Sequence, residues 1–357
     1  MFELAIDLFF WGGCSQHMKI LADYSLNELQ SELNLPKFRV KQIFDAIIQA
    51  KDYNQTTIPK KMYEQLQGEY ILKPVEIFEV YKSTDGTKKY LLKLWDNNII
   101  ECVFLTQNYG NTICMSTQVG CRMGCKFCAS TTNGLIRNLS AGEMISCIAT
   151  VSADNGKCNE RNFTNIVLMG SGEPFDNYEN VVKFLRLITN TDGFNVSERN
   201  ISLSTCGLVP KIYEFMKEEL NVTLCVSLHA STDEVRKTIM PIANAYTIKE
   251  IVEALRVYSE TTKRRVVLEY CLIKDVNDSF DDCKRLANLF KGITCHFNVI
   301  CLNATGGSLK ATTKKEAYAF VAKLESLGLS ASLRRSQGSD INGACGQLRA
   351  KRLKEMN

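Results

Sequence analysis

The sequence has no long apolar run, no low-complexity segment and little net charge. Its formal net charge is +4, which excludes a strong global field, although basic residues can still cluster locally. The apolar first residues carry Glu3 and Asp7 and lack a basic beginning, so they do not form a signal peptide. They are also too few to span a bilayer. The composition is that of an ordinary globular protein, and we expect no membrane partner.

Histidine is scarce, with three residues, whereas cysteine is abundant, with fifteen. The odd number of cysteines argues against a complete disulfide framework. In a reducing cytosol such cysteines are mostly free, metal-bound or catalytic. Because the sequence shows no secretion signal, we place the protein in the cytoplasm and expect a metal-bound or catalytic set among these thiols.

The length of 357 residues leaves room for one large domain and a small one. A second methionine, Met18, resembles a natural start. We therefore interpret residues 1–17 as an upstream extension of the reading frame, with an added interaction helix as the alternative. From Met18 onward the pattern is helical, and it predicts a small domain, similar to a helix-hairpin-helix, over residues 18–90.

Two helices of this small domain have recognisable features. "SLNELQSEL" begins with a capping box formed by Ser25 and Glu28. "KFRVKQIFDAIIQ" has an apolar face, and its other face carries Lys37, Arg39 and Lys41. That basic face is equally compatible with nucleic-acid contact and with a solvated surface.

After the helical segment, short apolar strands alternate with amphipathic helices. "KKYLLKLWDNNIIECVFLT" predicts a hairpin that turns around Asp96–Asn98. Two later helices begin with capping boxes, Ser140–Glu143 and Thr247–Glu250. The alternation predicts an α/β fold with a parallel sheet and right-handed crossovers. About six units predict a full or partial (β/α)6 barrel over residues 91–357, with its sites at the carboxyl ends of the strands.

The sharpest local signal is "GCRMGCKFCAS", in which Cys121, Cys125 and Cys128 are spaced C-x3-C-x2-C. Three thiolates so close must converge on one centre, because bare anions would repel each other. Structural zinc usually takes four ligands, and a [4Fe–4S] cluster normally takes four cysteines. Three cysteines leave one iron open to a substrate, so the loop resembles that of the radical S-adenosylmethionine (SAM) enzymes. Structural zinc stays open as the alternative.

Polar residues follow several of the later strand candidates. "LMGSGEP" places Gly172 and Glu173 after an apolar strand, where glycine lets the backbone approach a ligand closely and a carboxylate can accept from an ammonium. Other strand ends carry four further polar residues, Ser204, Ser227, His229 and Asn303. Each is ordinary in isolation, but together on one rim they favour cofactor binding.

Four segments together resemble the RlmN/Cfr family of radical SAM RNA methyltransferases: "TICMSTQVGCRMGCKFC", "LMGSGEP", "VSLHA" and "RRSQGSDINGACGQLRAK". The resemblance implies a partial (β/α)6 radical SAM barrel with an N-terminal RNA-binding accessory domain. It implies a [4Fe–4S] cluster on Cys121, Cys125 and Cys128, and two SAM molecules per turnover. It further implies a set of SAM contacts, namely Gly172, Glu173, Ser204, Ser227, Leu228, His229 and Asn303.

The resemblance also implies roles for two cysteines outside the loop. Carbons 2 and 8 of adenine have no nucleophilic lone pair, so they cannot attack the methyl of SAM directly. In this family a cysteine at the position of Cys345 takes a methyl from one SAM, and a radical from a second SAM activates that methyl for addition to adenine. Cys114 then attacks the Cys345 sulfur, forms a disulfide and frees the product, while Glu101 corresponds to the proton acceptor. In isolation Cys114 would be a strand core residue and Glu101 a surface carboxylate.

The implied partners are 23S rRNA and tRNA, together with an electron donor such as flavodoxin or ferredoxin, and the implied state is a monomer. RlmN-type enzymes methylate carbon 2 of adenosine, whereas Cfr-type enzymes methylate carbon 8 of 23S rRNA and confer antibiotic resistance. "RRSQGSDI" and "QLRAK" favour carbon 2. Basic clusters outside the cofactor rim, Arg334 and Arg335 among them, can neutralise phosphates or form a solvated surface. A non-enzymatic, zinc-stabilised RNA-binding protein is the remote alternative.

Overall fold

The structure is a computed structural model that describes residues 18–156, 161–303, 308–335 and 337–341. Two sequence predictions therefore lie outside the described residues: the upstream extension over residues 1–17 and the methyl-carrying Cys345. The basic residues from Arg349 onward lie outside them as well.

Within these ranges the chain forms fourteen β-strands: β1 (Lys19–Ile20), β2 (Tyr70–Ile71), β3 (Val75–Lys82), β4 (Lys88–Leu94), β5 (Ile99–Leu105), β6 (Thr112–Met115), β7 (Gln118–Gly120), β8 (Leu135–Asn138), β9 (Asn165–Leu168), β10 (Ile201–Thr205), β11 (Thr223–Ser227), β12 (Val266–Leu272), β13 (Cys295–Cys301) and β14 (Ala331–Leu333). The same ranges contain ten α-helices: α1 (Leu26–Leu33), α2 (Lys37–Ile48), α3 (Lys60–Glu69), α4 (Ala141–Asp154), α5 (Tyr178–Thr189), α6 (Val209–Met216), α7 (Asp233–Ile239), α8 (Ile248–Thr262), α9 (Phe280–Leu289) and α10 (Lys314–Ser326). None of the described helices is both long and apolar enough to cross a membrane.

Ten of the described strands form one sheet in the order β14-β13-β12-β11-β10-β9-β6-β5-β4-β3. Seven of these strands pair parallel with one another, namely β6, β9, β10, β11, β12, β13 and β14. At least one helix lies between each of these seven strands and the next of them along the chain. Strands β5, β4 and β3 extend the sheet in antiparallel fashion. In the described part of the chain the outer strands β14 and β3 do not pair with each other, so the barrel is open. Six strand–helix units followed by β14 confirm the predicted partial barrel.

The three predicted capping boxes are present, at the starts of α1, α4 and α8. The hydroxyl of Ser25, Ser140 or Thr247 accepts a hydrogen bond from the backbone N–H of the glutamate three residues later. The glutamate carboxylate in turn accepts from the N–H of the capping residue. Each box satisfies two of the N–H groups that a helix start leaves without partners.

The predicted hairpin is confirmed, because β4 and β5 pair antiparallel on either side of a tight turn. The N–H of Leu94 donates to the Asn98 carbonyl at 2.8 Å. Asn97 has φ +66°, a left-handed conformation that asparagine tolerates better than most residues.

The predicted helical pattern is wrong beyond Glu69, because residues 75–82 form strand β3. This strand pairs antiparallel with β4 and carries a register shift between Ile77 and Glu79. The segment takes the strand form because β4 supplies a ladder of backbone hydrogen bonds, which tertiary pairing provides and local pattern does not show. The division into an accessory domain over residues 18–90 and a core from residue 91 remains a prediction.

Helices α1, α2 and α3 bury a small apolar core of their own. Val40, Ile43 and Phe44 of α2 are buried in it, as the apolar face predicted. The opposite face of α2 exposes Phe38, and the Arg39 guanidinium lies 4.8 Å from its ring centroid. An aromatic ring and a cation are therefore both accessible on the basic face of this segment.

The helical segment meets the barrel at the start of α4. The Asp23 carboxylate accepts from the Gly142 N–H at 2.6 Å. A Cβ on Gly142 would lie 2.5 Å from the Asp23 backbone nitrogen, so only glycine permits this close approach. The contact fixes the segment that leads into the three small helices beside the start of α4.

Candidate active site

The three-cysteine loop follows β7, where the pairing of β7 with β8 requires a glycine. Gly120 has φ +80°, and a Cβ there would lie 2.0 Å from the Gly134 carbonyl oxygen. The N–H of Cys121 donates to that same oxygen at 2.9 Å. Further along the loop, the N–H of Lys126 donates to the Ile239 carbonyl at 2.9 Å. The loop is thus held between the β7–β8 hairpin and the end of α7.

The loop cysteines lie in largely apolar surroundings. Cys121 and Cys125 are buried, and Cys128 is partly exposed. Burial raises the pKa of Cys121 to about 12 and raises the pKa of Cys125 as well. The two buried thiols therefore stay protonated at neutral pH unless a positively charged centre binds them. Cys125 also packs against an apolar cluster that includes Ile239, Met240, Ile273 and Leu302.

The residues present fit the iron–sulfur cluster that the sequence implies. Three thiolates are the soft donors that iron–sulfur clusters require. In a [4Fe–4S] cluster each cysteine binds a different iron, so the three sulfurs need not share the coordination shell of one ion. Among the described residues no three His, Cys, Asp or Glu side chains are arranged to hold a single metal ion.

The turn after β9 is clamped to the segment that precedes the cysteine loop. The N–H of Ser171 donates to Ser116 Oγ at 3.0 Å, and the N–H of Glu173 donates to Gln118 Oε1 at 2.9 Å. Gly172 has φ +106°, and a Cβ there would lie 2.7 Å from the Gln118 side chain. The carboxyl ends of β6 and β9 are thereby brought together beside the cysteine loop.

Three buried hydroxyls at this edge have no hydrogen-bond partner among the described residues: Thr117 Oγ1, Ser130 Oγ and Ser171 Oγ. They lie after β6, within the cysteine loop and after β9. A buried hydroxyl without a partner costs free energy, and a bound ligand is one way to satisfy it. Their grouping at one edge fits a site that holds a polar ligand.

Glu173 lies between the ends of β9 and β10. Its carboxylate accepts from the Phe175 N–H at 3.0 Å and from the Cys206 N–H at 2.7 Å. Burial raises the pKa of Glu173, and these hydrogen bonds oppose the rise. The carboxylate is therefore fixed at the predicted edge, and its contact with SAM remains a prediction.

His229 lies beside the cysteine loop. Its Nδ1 accepts from the Cys271 N–H at 2.9 Å, which leaves the proton of the neutral ring on Nε2. Burial lowers the pKa of His229 to about 3, so the ring is neutral at physiological pH. The ring lies 4.7 Å, centroid to centroid, from Phe127 in an edge-on arrangement. The left-handed backbone at His229 (φ +55°) is held by Asn277, whose amide donates to the His229 carbonyl at 2.7 Å.

The remaining predicted SAM contacts lie at the same carboxyl edge. Ser204 and Ser227 are partly exposed on β10 and β11, Leu228 is buried, and Asn303 is exposed two residues after β13. Their common edge agrees with the prediction from strand ends. Their contacts with SAM stay predictions.

Arg236, which the sequence analysis missed, ties two of these strand ends together. Its side chain is fully buried and donates to the carbonyls of Cys206 at 2.7 Å, Leu228 at 3.1 Å and Ser227 at 3.2 Å. Cys206 directly follows β10, and Ser227 ends β11, so one guanidinium fixes both ends. An arginine on the short helix α7 carries no sequence signal of burial, and only the tertiary structure reveals its position.

Cys114 and Glu101 lie on one face of the sheet. Cys114 on β6 is paired directly with Val103 on β5, and Glu101 is two residues from Val103, so all three share a face. Cys114 is 6% exposed and Glu101 is 4% exposed. The Glu101 carboxylate lies 3.4 Å from the Nζ of Lys89, which is fully buried. Glu101 is therefore not a surface carboxylate, whereas a core role for Cys114 stays open.

We expect Lys89→Met to destabilise the fold strongly. The change leaves the buried Glu101 carboxylate without its ammonium partner, and removing one member of a buried pair costs about 3–5 kcal/mol. Lys93→Met on the same strand is the matched control, because the Lys93–Glu76 pair at 2.9 Å is solvent-exposed and such pairs contribute about 0–1 kcal/mol. Urea unfolding measures both free energies, and equal losses in the two variants would contradict the prediction.

Arg334 does not lie outside the cofactor rim, which corrects the sequence interpretation. Its Nη1 lies 3.8 Å from the Met169 sulfur and 3.9 Å from a Glu269 carboxylate oxygen. Met169 directly follows β9 and Glu269 stands on β12, so the guanidinium reaches across the open barrel. The buried Glu269 carboxylate, whose oxygens also accept from the Asn298 amide at 3.0 Å, is favoured by a cation nearby.

No disulfide joins two of the described cysteines to each other. The disulfide that the family resemblance implies would link Cys114 to Cys345, and Cys345 lies outside the described residues. Other buried thiols, such as Cys147 and Cys283, pack in the main apolar core, as expected for incidental cysteines.

Comparisons with known proteins agree with this site. The family model of the radical SAM superfamily matches residues 115–287. The probable dual-specificity RNA methyltransferase RlmN of Clostridium perfringens (strain 13 / Type A) is 49% identical over 345 residues, which cover 94% of this chain and 98% of that protein. The protein of the same description from Clostridium botulinum (strain Alaska E43 / Type E3) is 48% identical, with 94% and 98% covered.

A solved structure shares the whole fold. The crystal structure of a radical SAM methyltransferase from Sphaerobacter thermophilus superimposes with a TM-score of 0.88 at 39% identity, and covers 93% of this chain and 99% of that one. Its similarity spans the small helices, the antiparallel strands and the parallel barrel together. With identity near one half over nearly the full length of curated relatives, this chain is an enzyme and belongs to the RlmN family of radical SAM RNA methyltransferases.

Proposed function

We propose that this enzyme methylates carbon 2 of an adenosine in 23S rRNA, at the peptidyl-transferase centre, and in tRNA beside the anticodon. The observation that carries the proposal is the shared face of Cys114 and Glu101, which lies next to the edge where the cysteine loop and the candidate SAM contacts meet. The relatives are described as dual-specificity RNA methyltransferases, which supports two RNA substrates. The segment "RRSQGSDI" supports carbon 2.

Cys121, Cys125 and Cys128 would hold a [4Fe–4S] cluster, which when bound would supply the electron for the cleavage of SAM. The edge around it offers a carboxylate on Glu173, hydroxyls on Ser204 and Ser227, and the Nε2–H donor of a neutral His229. A carboxylate complements the SAM ammonium, and donors complement its carboxylate and ribose oxygens. We assign Gly172, Leu228 and Asn303 to the same set.

Cys345 and Cys114 divide the transfer into two sulfur steps. The Cys345 thiolate attacks the methyl of a first SAM, so that a new S–C bond forms, the sulfonium S–C bond breaks and S-adenosylhomocysteine leaves. A second SAM supplies a 5′-deoxyadenosyl radical, which takes a hydrogen atom from this methyl and leaves as 5′-deoxyadenosine; the resulting carbon radical adds to adenine, and RNA is tied to Cys345. The adduct gives up one electron, which would return to the cluster, and Glu101 accepts the proton from the adenine carbon. The Cys114 thiolate then attacks the Cys345 sulfur, forming an S–S bond as the S–C bond breaks, and the freed methylene takes up a proton to become the methyl of the product.

The N-terminal helices fit an RNA-binding role in this reaction. Arg39 lies over the exposed ring of Phe38, and Lys37 and Lys41 stand on the same basic helix. An aromatic ring can stack on an unpaired base, and nearby cations can neutralise phosphates. The target base must leave its stack to reach the barrel edge. We further propose a cytoplasmic monomer that receives electrons from flavodoxin or ferredoxin.

Nucleoside analysis decides between carbon 2 and the Cfr-type alternative, carbon 8. The gene is expressed in a bacterial host that lacks its own RlmN, and 23S rRNA and tRNA are digested separately and analysed by mass spectrometry. We expect 2-methyladenosine in both RNAs. Finding 8-methyladenosine alone would refute the proposed position, and an RNA pool without either product would refute the reaction. The non-enzymatic zinc alternative is set aside by the family membership.

A further inference from the structure

The turn between β3 and β4, residues 83–87, makes a dense set of contacts with residues 337–341. These two segments lie about 250 positions apart in sequence, as the separations of 253, 256 and 257 for three of their hydrogen bonds show. Residues 337–341 follow β14 and lead along the chain toward Cys345. The contacts therefore act on the stretch from which the proposed methyl carrier extends.

Asp340 makes two of these contacts through its carboxylate. Oδ1 accepts from the Ser83 hydroxyl at 2.6 Å, and Oδ2 accepts from the Thr84 backbone N–H at 3.0 Å. Both carboxylate oxygens of Asp340 therefore bind this turn. Hydrogen bonds to an ionised carboxylate are stronger than neutral ones.

Asp85 makes the reciprocal contact from the turn. Its Oδ2 accepts from the Gly338 N–H at 2.8 Å, and its Oδ1 accepts from the Thr87 N–H at 2.9 Å. These backbone bonds hold the pKa of Asp85 well below its usual range. Gly338 has φ +64°, and a Cβ there would lie 3.1 Å from the methyl of Thr87. The two segments are therefore in close contact as well as hydrogen-bonded.

Gln337 adds a second attachment on the neighbouring strand end. Its amide donates to the Thr106 carbonyl at 3.1 Å, and its carbonyl accepts from the Gln107 amide at 2.7 Å. Thr106 directly follows β5, the strand of Glu101. The segment before Cys345 is thus attached both to the β3–β4 turn and to the end of β5.

We propose that this β3–β4 turn is an anchor that positions the methyl-carrying cysteine, with Asp85 and Asp340 as positioning residues. The inference rests on the proposed function, in which the Cys345 sulfur must meet SAM, adenine and Cys114 in turn. Cys345 is five positions after Asp340, and five positions of chain span at most about 18 Å, so the anchor limits how far the cysteine can lie from Asp340. Confinement of this kind raises the effective concentration of a reacting group. The turn also leads into β4, which pairs with the strand of Glu101.

The test removes both carboxylates in the full-length enzyme, as Asp85→Ala together with Asp340→Ala. The readouts are the fraction of Cys345 that carries a methyl, measured by mass spectrometry of the purified protein, its iron and sulfide content, and hydrogen exchange of the 83–87 and 337–341 amides. We expect methylated Cys345 to fall roughly tenfold or more, since charge-assisted hydrogen bonds are lost, while iron content stays at the parent level. Exchange of both segments should accelerate. Asp85→Asn in place of Asp85→Ala keeps one acceptor oxygen at this position. Combined with Asp340→Ala, it should retain more methylated Cys345 than the double alanine variant does.

The control is Asp192→Ala, which removes an exposed carboxylate from the loop after α5. It should leave methylated Cys345, iron content and exchange unchanged. If the double variant methylates Cys345 as the parent does, the anchor inference is wrong and the proposed function stands. If the parent itself carries no methyl on Cys345 after expression with SAM available, the proposed function is wrong and the anchor inference falls with it.

Discussion

Replacing Cys114 with alanine is expected to leave RNA covalently attached to the protein. In the proposed reaction the Cys114 thiolate is the group that breaks the bond between Cys345 and the methylated base. Alanine has no nucleophile, so the adduct forms and is not resolved. Because each enzyme molecule would then be consumed in one turnover, multiple-turnover methylation should be lost altogether.

Denaturing gel electrophoresis followed by nuclease treatment and mass spectrometry measures the adduct. Cys102→Ala is the matched control, because Cys102 stands on the adjacent strand, is also buried and faces the main core on the other side of the sheet. That variant should release free RNA at the parent rate. A Cys114→Ala enzyme that turns over normally, without RNA bound, would refute the role of Cys114.

Replacing Glu101 with glutamine is expected to slow methylation by roughly 10²–10⁴-fold, the usual contribution of a positioned acid or base. Glutamine has nearly the same shape but cannot accept the adenine proton. The rate should fall in the steps that follow methylation of Cys345. Methylated Cys345 should therefore persist in the purified variant. This pattern separates a chemical role of Glu101 from simple misfolding.

Single-turnover assays with methylated enzyme and RNA measure the rate. Glu76→Gln is the control, since Glu76 lies on β3, two strands away from Glu101 in the same sheet, in an exposed pair with Lys93. It should react at the parent rate. If Glu101→Gln methylates RNA within about threefold of the parent, Glu101 is not the proton acceptor. A variant that has lost its methyl-cysteine would place the role of Glu101 earlier in the reaction.

Features that depend on neighbours in sequence were predictable. The cysteine spacing, the capping boxes and the turn at Asp96–Asn98 all act over a few residues, and the structure has the boxes and the turn where they were expected. The alternation of strands and helices predicted the barrel for the same reason. The order of the parallel strands then followed from the tendency of consecutive units to lie side by side.

Features that depend on distant residues were not predictable. Residues 75–82 form a strand because β4 pairs with them, and their own pattern did not distinguish strand from helix. Lys89 and Arg236 are both fully buried, although charged residues in short amphipathic segments usually face solvent. Arg334 was assigned to an outer basic cluster because nothing near it in sequence points to Glu269. In each case the partner that decides the position lies elsewhere in the chain.

The contact between the β3–β4 turn and residues 337–341 has a consequence for how the enzyme is made. Asp85 and Gly338 are 253 positions apart, and ribosomes add about 5–20 residues per second. Residues 337–341 are therefore synthesised on the order of ten to fifty seconds after the turn. During that time the parallel strands between them are synthesised, the last of them being β14, which ends five positions before Gly338. The attachment of residues 337–341 to the turn can therefore form only after nearly the whole barrel has been synthesised.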